Sequence, residues 1–110
     1  MKIESDYIKE ILNVFYESNQ AHLTWQDVEA EGLTIDDGER QLNQRFLAHL
    51  QVILEHGWLS NEQLKSTLID VGIELQGNGE YRKLGRLVRL TANGYAYLTQ
   101  PDYQSDDEGW

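Results

Sequence analysis

Between residues 69 and 76 the chain alternates apolar and polar side chains without a fault, setting Ile69, Val71, Ile73 and Leu75 against Asp70, Gly72, Glu74 and Gln76. A period of two is the pattern of a strand with one buried face. Gly77-Asn78-Gly79 follows, and these residue types tolerate positive φ and so close a tight hairpin turn. Tyr81 to Leu90 is the expected return strand, with Gly85 placed to form a bulge. Residues 60–65, just upstream, read as a loop or a single helical turn.

Helical periodicity dominates the rest. Ser5 and Asp6 are positioned to cap a first helix reaching Ser18, whose Ile8, Ile11, Leu12 and Phe15 share one face. Tyr7 and Val14 widen that stripe beyond what one core needs, so the helix is wrapped by its own domain or packs on another chain. Ala21-His22-Leu23 is a linker or short strand. Thr24-Trp25-Gln26-Asp27 has the form of a capping box, opening a short helix to Glu31 that Gly32 stops. Thr34 is the expected cap of a third helix, with Asp36, Asp37 and Glu39 in the first turn where the helix dipole favours acids. Leu42, Phe46, Leu50, Ile53 and Leu54 form its buried stripe, and Gly57 ends it. Thr91 caps a last helix carrying Tyr95, Tyr97 and Leu98, and Pro101 breaks it.

Three helices, a two-stranded hairpin and a closing helix make an α+β chain in the winged helix-turn-helix arrangement, with the hairpin as wing. Residues 1–100 are expected to form this domain and residues 101–110 an acidic, disordered tail. Two segments carry a resemblance. Ala48-His49-Leu50-Gln51-Val52-Ile53-Leu54-Glu55-His56-Gly57-Trp58-Leu59 resembles the HLxxLxExGLI stretch of an uncharacterised winged-helix family common in phages and prophages. Arg89-Leu90-Thr91-Ala92-Asn93-Gly94-Tyr95-Ala96-Tyr97-Leu98 resembles that family's RLTxxGxxFL close. Trp58 stands where the family has a small apolar residue, and about thirty residues separate the motifs. The resemblance implies a fold and a phage-related setting. It brings no activity with it, so function has to be argued from these residues.

Charge narrows the classes. The formal net charge is −10, from 9 Lys and Arg against 19 Asp and Glu. That argues against a protein that coats nucleic acid or anionic membrane by bulk attraction. The distribution is uneven: residues 1–39 hold ten acids and two bases, whereas residues 40–90 hold seven bases and five acids. A local patch can still dock a polyanion. The absence of cysteine excludes disulfide scaffolds, thiol catalysis and Cys-based zinc sites. No apolar leader opens the chain and no run reaches the ~20 apolar residues of a membrane span, so a cytoplasmic protein is expected. His22, His49 and His56 lack the spacing of a metal set, and no nucleophile, phosphate-loop or paired-carboxylate motif is present. No enzymatic activity and no cofactor is expected.

The remaining candidates are for binding. The outer face of the third helix carries Arg40, Gln41, Gln44, Ala48 and Gln51, with Arg45 at its flank. Arg and Gln side chains pair with base edges in a major groove, and a small residue allows close approach. The return strand carries Arg82, Lys83 and Arg86, placed to meet phosphates as the helix enters the groove. Arg40, Gln41, Gln44, Arg45, Arg82, Lys83 and Arg86 are therefore the expected contacts of a DNA-binding regulator, dimeric through its first and last helices. The alternative is an acidic interaction module that does not touch DNA. It would inhibit a nucleic-acid-handling protein by presenting carboxylates where a basic partner expects phosphates.

Overall fold

The computed structural model describes residues 1–38, 41–78 and 80–99. Helix α1 (Ser5–Glu17) buries Ile8, Ile11, Leu12 and Phe15 on one face, as their spacing predicts. Each such side chain contributes about 1.5–3 kcal/mol by leaving water. The surplus apolar residues are absorbed inside the chain, for Tyr7 is buried and Val14 packs against the core. The start of the helix differs from expectation. Glu4, not Ser5 or Asp6, is the N-cap residue, and its side chain makes no capping bond. Its backbone N–H donates instead to Nε2 of the fully buried His49, at 2.9 Å.

Helix α2 (Trp25–Ala30) opens with the expected reciprocal box. Thr24 Oγ1 accepts from the Asp27 N–H and Asp27 Oδ2 accepts from the Thr24 N–H. The Trp25 ring lies edge-on to Phe15 and Phe46, at 5.7 and 5.5 Å between centroids. Its Nε1–H donates to the Val71 carbonyl at 2.8 Å, so the buried indole leaves no donor unsatisfied.

The third helix begins nine residues later than the Thr34 cap would place it. Helix α3 spans Gln44–Glu55, and its cap is Asn43, whose side chain accepts from the Phe46 N–H. Asp36 and Asp37 are therefore not in a helical first turn. Residues 35–37 and 41–43 pair with one another: the Asp37 N–H donates to the Gln41 carbonyl and the Asn43 N–H to the Ile35 carbonyl. The cause is visible at Gly38, whose φ of +97° belongs to a turn and not to a helix. Ile35 and Leu42, on the two arms, are both buried. Helices α2 and α3 are thus joined by residues 31–43, well beyond the 3–4-residue turn usual in a helix-turn-helix.

Two small antiparallel sheets follow. Strand β1 (Leu59–Ser60) pairs with β4 (Arg89–Leu90), Leu59 opposite Leu90 and Ser60 opposite Arg89. On the other side of that chain segment, Leu23 bridges to Val88 through two backbone hydrogen bonds of 2.9 and 2.8 Å. Residues 88–90 are therefore central, flanked by Leu23 and by β1. Strands β2 (Ile73–Leu75) and β3 (Tyr81–Lys83) form the hairpin, with Glu74 opposite Arg82. Both are shorter than the alternation suggests. Residues 67–72 are a turn held by Thr67 and Asp70, and the return strand breaks at residues 84–87, where Gly85 has a φ of +72°. Helix α4 (Ala92–Thr99) is capped by Thr91, whose Oγ1 accepts from the Gly94 N–H and donates to the Gly57 carbonyl.

Helix α1 packs on α3, α4 and β4, which places the core between the helices and residues 88–90. The chain is a mixed α+β fold of helices with small antiparallel sheets. Among the described residues no helix is long and apolar enough to cross a membrane. The expected acidic tail, 101–110, lies outside the described residues.

Candidate nucleic-acid interface

The exposed face of α3 is built from Gln44, Gln51 and Glu55, with Ala48 half-buried between them. Positions 44, 48, 51 and 55 follow helical spacing, so they form one stripe opposite buried Phe46, Leu50 and Ile53. Gln44 and Gln51 keep the amide character expected of a groove-reading face. Arg40 lies outside the described residues. Gln41 is not on the helix: it precedes α3 and bridges to Glu80, which brings the hairpin beside the helix N-terminus.

Arg45 is on α3 but turns towards α1. Its Nε and Nη2 donate to the two carboxylate oxygens of Glu4, each at 3.3 Å, and its guanidinium lies 3.9 Å from the centre of the Tyr7 ring. The pair is half exposed, so it adds at most about 1 kcal/mol. Below it, the His49 ring closes the same corner, with Nδ1 2.6 Å from the Arg45 carbonyl and Tyr7 edge-on at 4.8 Å. Burial raises the Tyr7 phenol above the usual tyrosine range, and Arg45 offsets part of that rise.

The hairpin divides its cations between two faces. Arg82 is outward, 69% exposed, and pairs with Glu74 across the strands at 3.5 Å. Arg86 is also exposed, and its Nη1 donates to the Ile69 carbonyl at 2.8 Å. Lys83 points the other way. It is half-buried, its Nζ bonds Glu29 of α2, and it lies 4.0 Å from Asp36 in the loop before α3. Tyr81, on the same face, donates its hydroxyl to Asp36 Oδ2 at 2.8 Å. Burial, then that hydrogen bond, then the charges of Asp36 and Glu29 push the Tyr81 phenol far up. The expected contacts therefore do not converge as one set: Gln44, Arg82 and Arg86 are presented to solvent, Arg45 is half exposed but paired with Glu4 of the segment before α1, and Lys83 is turned into the chain.

Two other surfaces escaped sequence reasoning. A cleft of about 640 Å³ lies between α1 and α2, floored by Val14, Leu23 and Leu33. Glu10, Glu17, Asp27 and Glu31 line it, and no Lys or Arg does. Its signal was the acid-rich segment 1–39, but only packing α1 beside α2 turns that excess into a concave surface. At the far end of α3, the rings of His56, Trp58 and Tyr97 stack in parallel, at 4.4 and 4.0 Å between centroids. Burial, and then Asp6, raise the Tyr97 phenol above its ordinary value. Among the described residues no group of three His, Asp or Glu side chains could hold a metal ion.

No protein-family model, no curated protein and no solved structure matches this chain.

Proposed function

We propose that this chain is a winged-helix protein that binds double-stranded DNA, acting as a transcriptional regulator of the phage or prophage type. The observation that carries the reading is the sheet order, Leu23 beside residues 88–90 beside β1, with α1 before Leu23 and α2 and α3 between the outer strands. That order supports a winged-helix connection, in which the segment from β1 to β4, with the β2–β3 hairpin, is an enlarged wing. In this reading Gln44, Ala48 and Gln51 face base edges in the major groove, and Arg82 and Arg86 meet phosphates. Arg82 can leave Glu74 for a phosphate at little cost, because the pair is exposed. Tyr16 and Tyr95, edge-on to one another and 44% and 47% exposed on α1 and α4, supply the face of a homodimer.

The test is selection of bound fragments from a random duplex pool at low and near-physiological salt. A palindromic site that survives the higher salt supports a dimeric regulator. Replacing Gln44 should then relax sequence preference, whereas Arg82→Ala or Arg86→Ala should weaken all sequences and flatten the salt slope by about 0.9 each. No retention at low salt overturns the reading.

The acidic cleft favours a second one, an interaction module whose partner is a basic segment of a nucleic-acid-handling protein. Glu10, Glu17 and Glu31 make no ion pair among the described residues, so their charge is available to a partner. That complex should dissociate with salt, and E10Q/E17Q/E31Q should abolish it while leaving DNA retention unchanged.

A further inference from the structure

Lys83 sits next to Arg82, which faces water, yet it turns inward onto two carboxylates from two different elements. Glu29 comes from α2, and Asp36 from the loop that leads into α3. The same loop is tied to the hairpin twice more, by Tyr81 donating to Asp36 and by the Gln41–Glu80 bridge. Half-buried pairs of this kind are screened less by salt than surface ones, and a shared acceptor couples their geometry. The ties to Asp36 and Gln41 join the wing to the segment that leads into the first turn of α3, and the tie to Glu29 joins it to α2. They leave Arg82 on the opposite, exposed face of the strand.

We propose that Lys83 is a positioning residue that fixes the wing against the α2–α3 loop, so that the wing arginines and the exposed stripe of α3 are held in one orientation, and that it is not itself a phosphate contact. The proposal rests on the DNA-binding reading for its purpose and on the Glu29–Lys83–Asp36–Tyr81 cluster for its geometry. A wing free to swing would have to be ordered on binding; a docked one is already in place.

Hydrogen exchange on the free protein tests the geometry. Lys83→Met removes both charge pairs and keeps most of the stem. It should speed exchange at least tenfold at the Asp37, Asn43 and Gln76 amides, which are bonded within the loop and the hairpin. Core amides of α1 and α3 should be unchanged, and Lys83→Arg should restore protection. Should Lys83→Met fold poorly, Tyr81→Phe deletes only the hydroxyl and should give a smaller change at the same amides. Unchanged exchange, or an equal rise throughout α1 and α3, overturns the proposal.

Duplex binding tests the role. With Lys83→Met, affinity should fall for every sequence while the slope of log affinity against log salt stays as in the wild type. A slope reduced by about 0.9 would make Lys83 a phosphate contact and overturn the assignment. If the wild-type protein retains no DNA, the DNA reading fails by itself, and the exchange result alone decides whether Lys83 holds the wing.

Discussion

Replacing Gly94 by alanine sets two effects of opposite sign against each other. Alanine is the better helix former by about 1 kcal/mol, so in a loosely packed α4 the substitution would stabilise. Here a Cβ at residue 94 would lie 2.4 Å from the Trp58 carbonyl oxygen and 2.6 Å from Leu90 Cδ1. The leucine tip can rotate, but the carbonyl is backbone, and it also accepts the Thr91 N–H at 3.0 Å. Opening the gap to an ordinary contact means moving α4 or Trp58 by about 1 Å, an overpacking cost of about 1–3 kcal/mol. Loss of the Thr91 bond would add about 1 kcal/mol. The expected net is a destabilisation of about 2 kcal/mol, read as a lower urea midpoint and a Tm lowered by roughly 10 °C. Asn93→Ala, one residue away and exposed, should stay within about 0.5 kcal/mol of the wild type. A Gly94→Ala protein as stable as the wild type, or more so, would refute the close approach of α4 to Trp58.

Thr24→Ala removes the capping box of α2 and should cost about 1 kcal/mol in chemical denaturation, with the slope m unchanged. His49→Leu leaves the Glu4 N–H without its acceptor and the Arg45 carbonyl with its helical partner alone, and should cost about 1–2 kcal/mol by the same assay. Tyr81 is held protonated above its ordinary value, so its contribution is complete below about pH 10 and is lost as pH rises through the folded-state value. Tyr81→Phe should therefore be less stable at neutral pH by about 1 kcal/mol and lose less stability between pH 9 and 11, as followed by circular dichroism.

What could be read from the sequence is sharpest in three Thr-x-x-Asp segments, at residues 24, 34 and 67. Thr24–Asp27 opens a helix, as expected, because the residues behind it can continue one. Thr67–Asp70 makes a comparable local bond pattern, yet it yields only a turn, since Gly72 follows at a φ of +91°. Thr34–Asp37 opens no helix, because Asp37-Gly38 is itself a turn dipeptide and buries Ile35 and Leu42 on its two arms. Gly38, at the end of the supposed first turn, was the available warning. The late start of α3 in turn displaced Gln41 from the helix. The hairpin was visible in the alternation of Ile73 and Leu75, but its inward face was not. Lys83 and Arg82 are both basic, and only the carboxylates brought near by α2 and the loop separate their roles. Tertiary partners from distant positions, such as Glu4 for Arg45, leave no local trace.

The central place of residues 88–90 bears on how the chain reaches this state. Leu23 and Leu59 bond the same short segment from opposite sides, and that segment lies C-terminal to both. Neither edge has a partner until residues 88–90 have been made, and joining Leu23 to Val88 closes a loop of more than sixty residues. Closure over that length carries an entropy cost that helix formation within α1 and α3 does not. The helices should therefore gain exchange protection before the Leu23 and Val88 amides do. A nascent chain stopped short of residue 88 should hold its helices around an open sheet, with the apolar Leu23 and Leu59 uncovered and prone to associate.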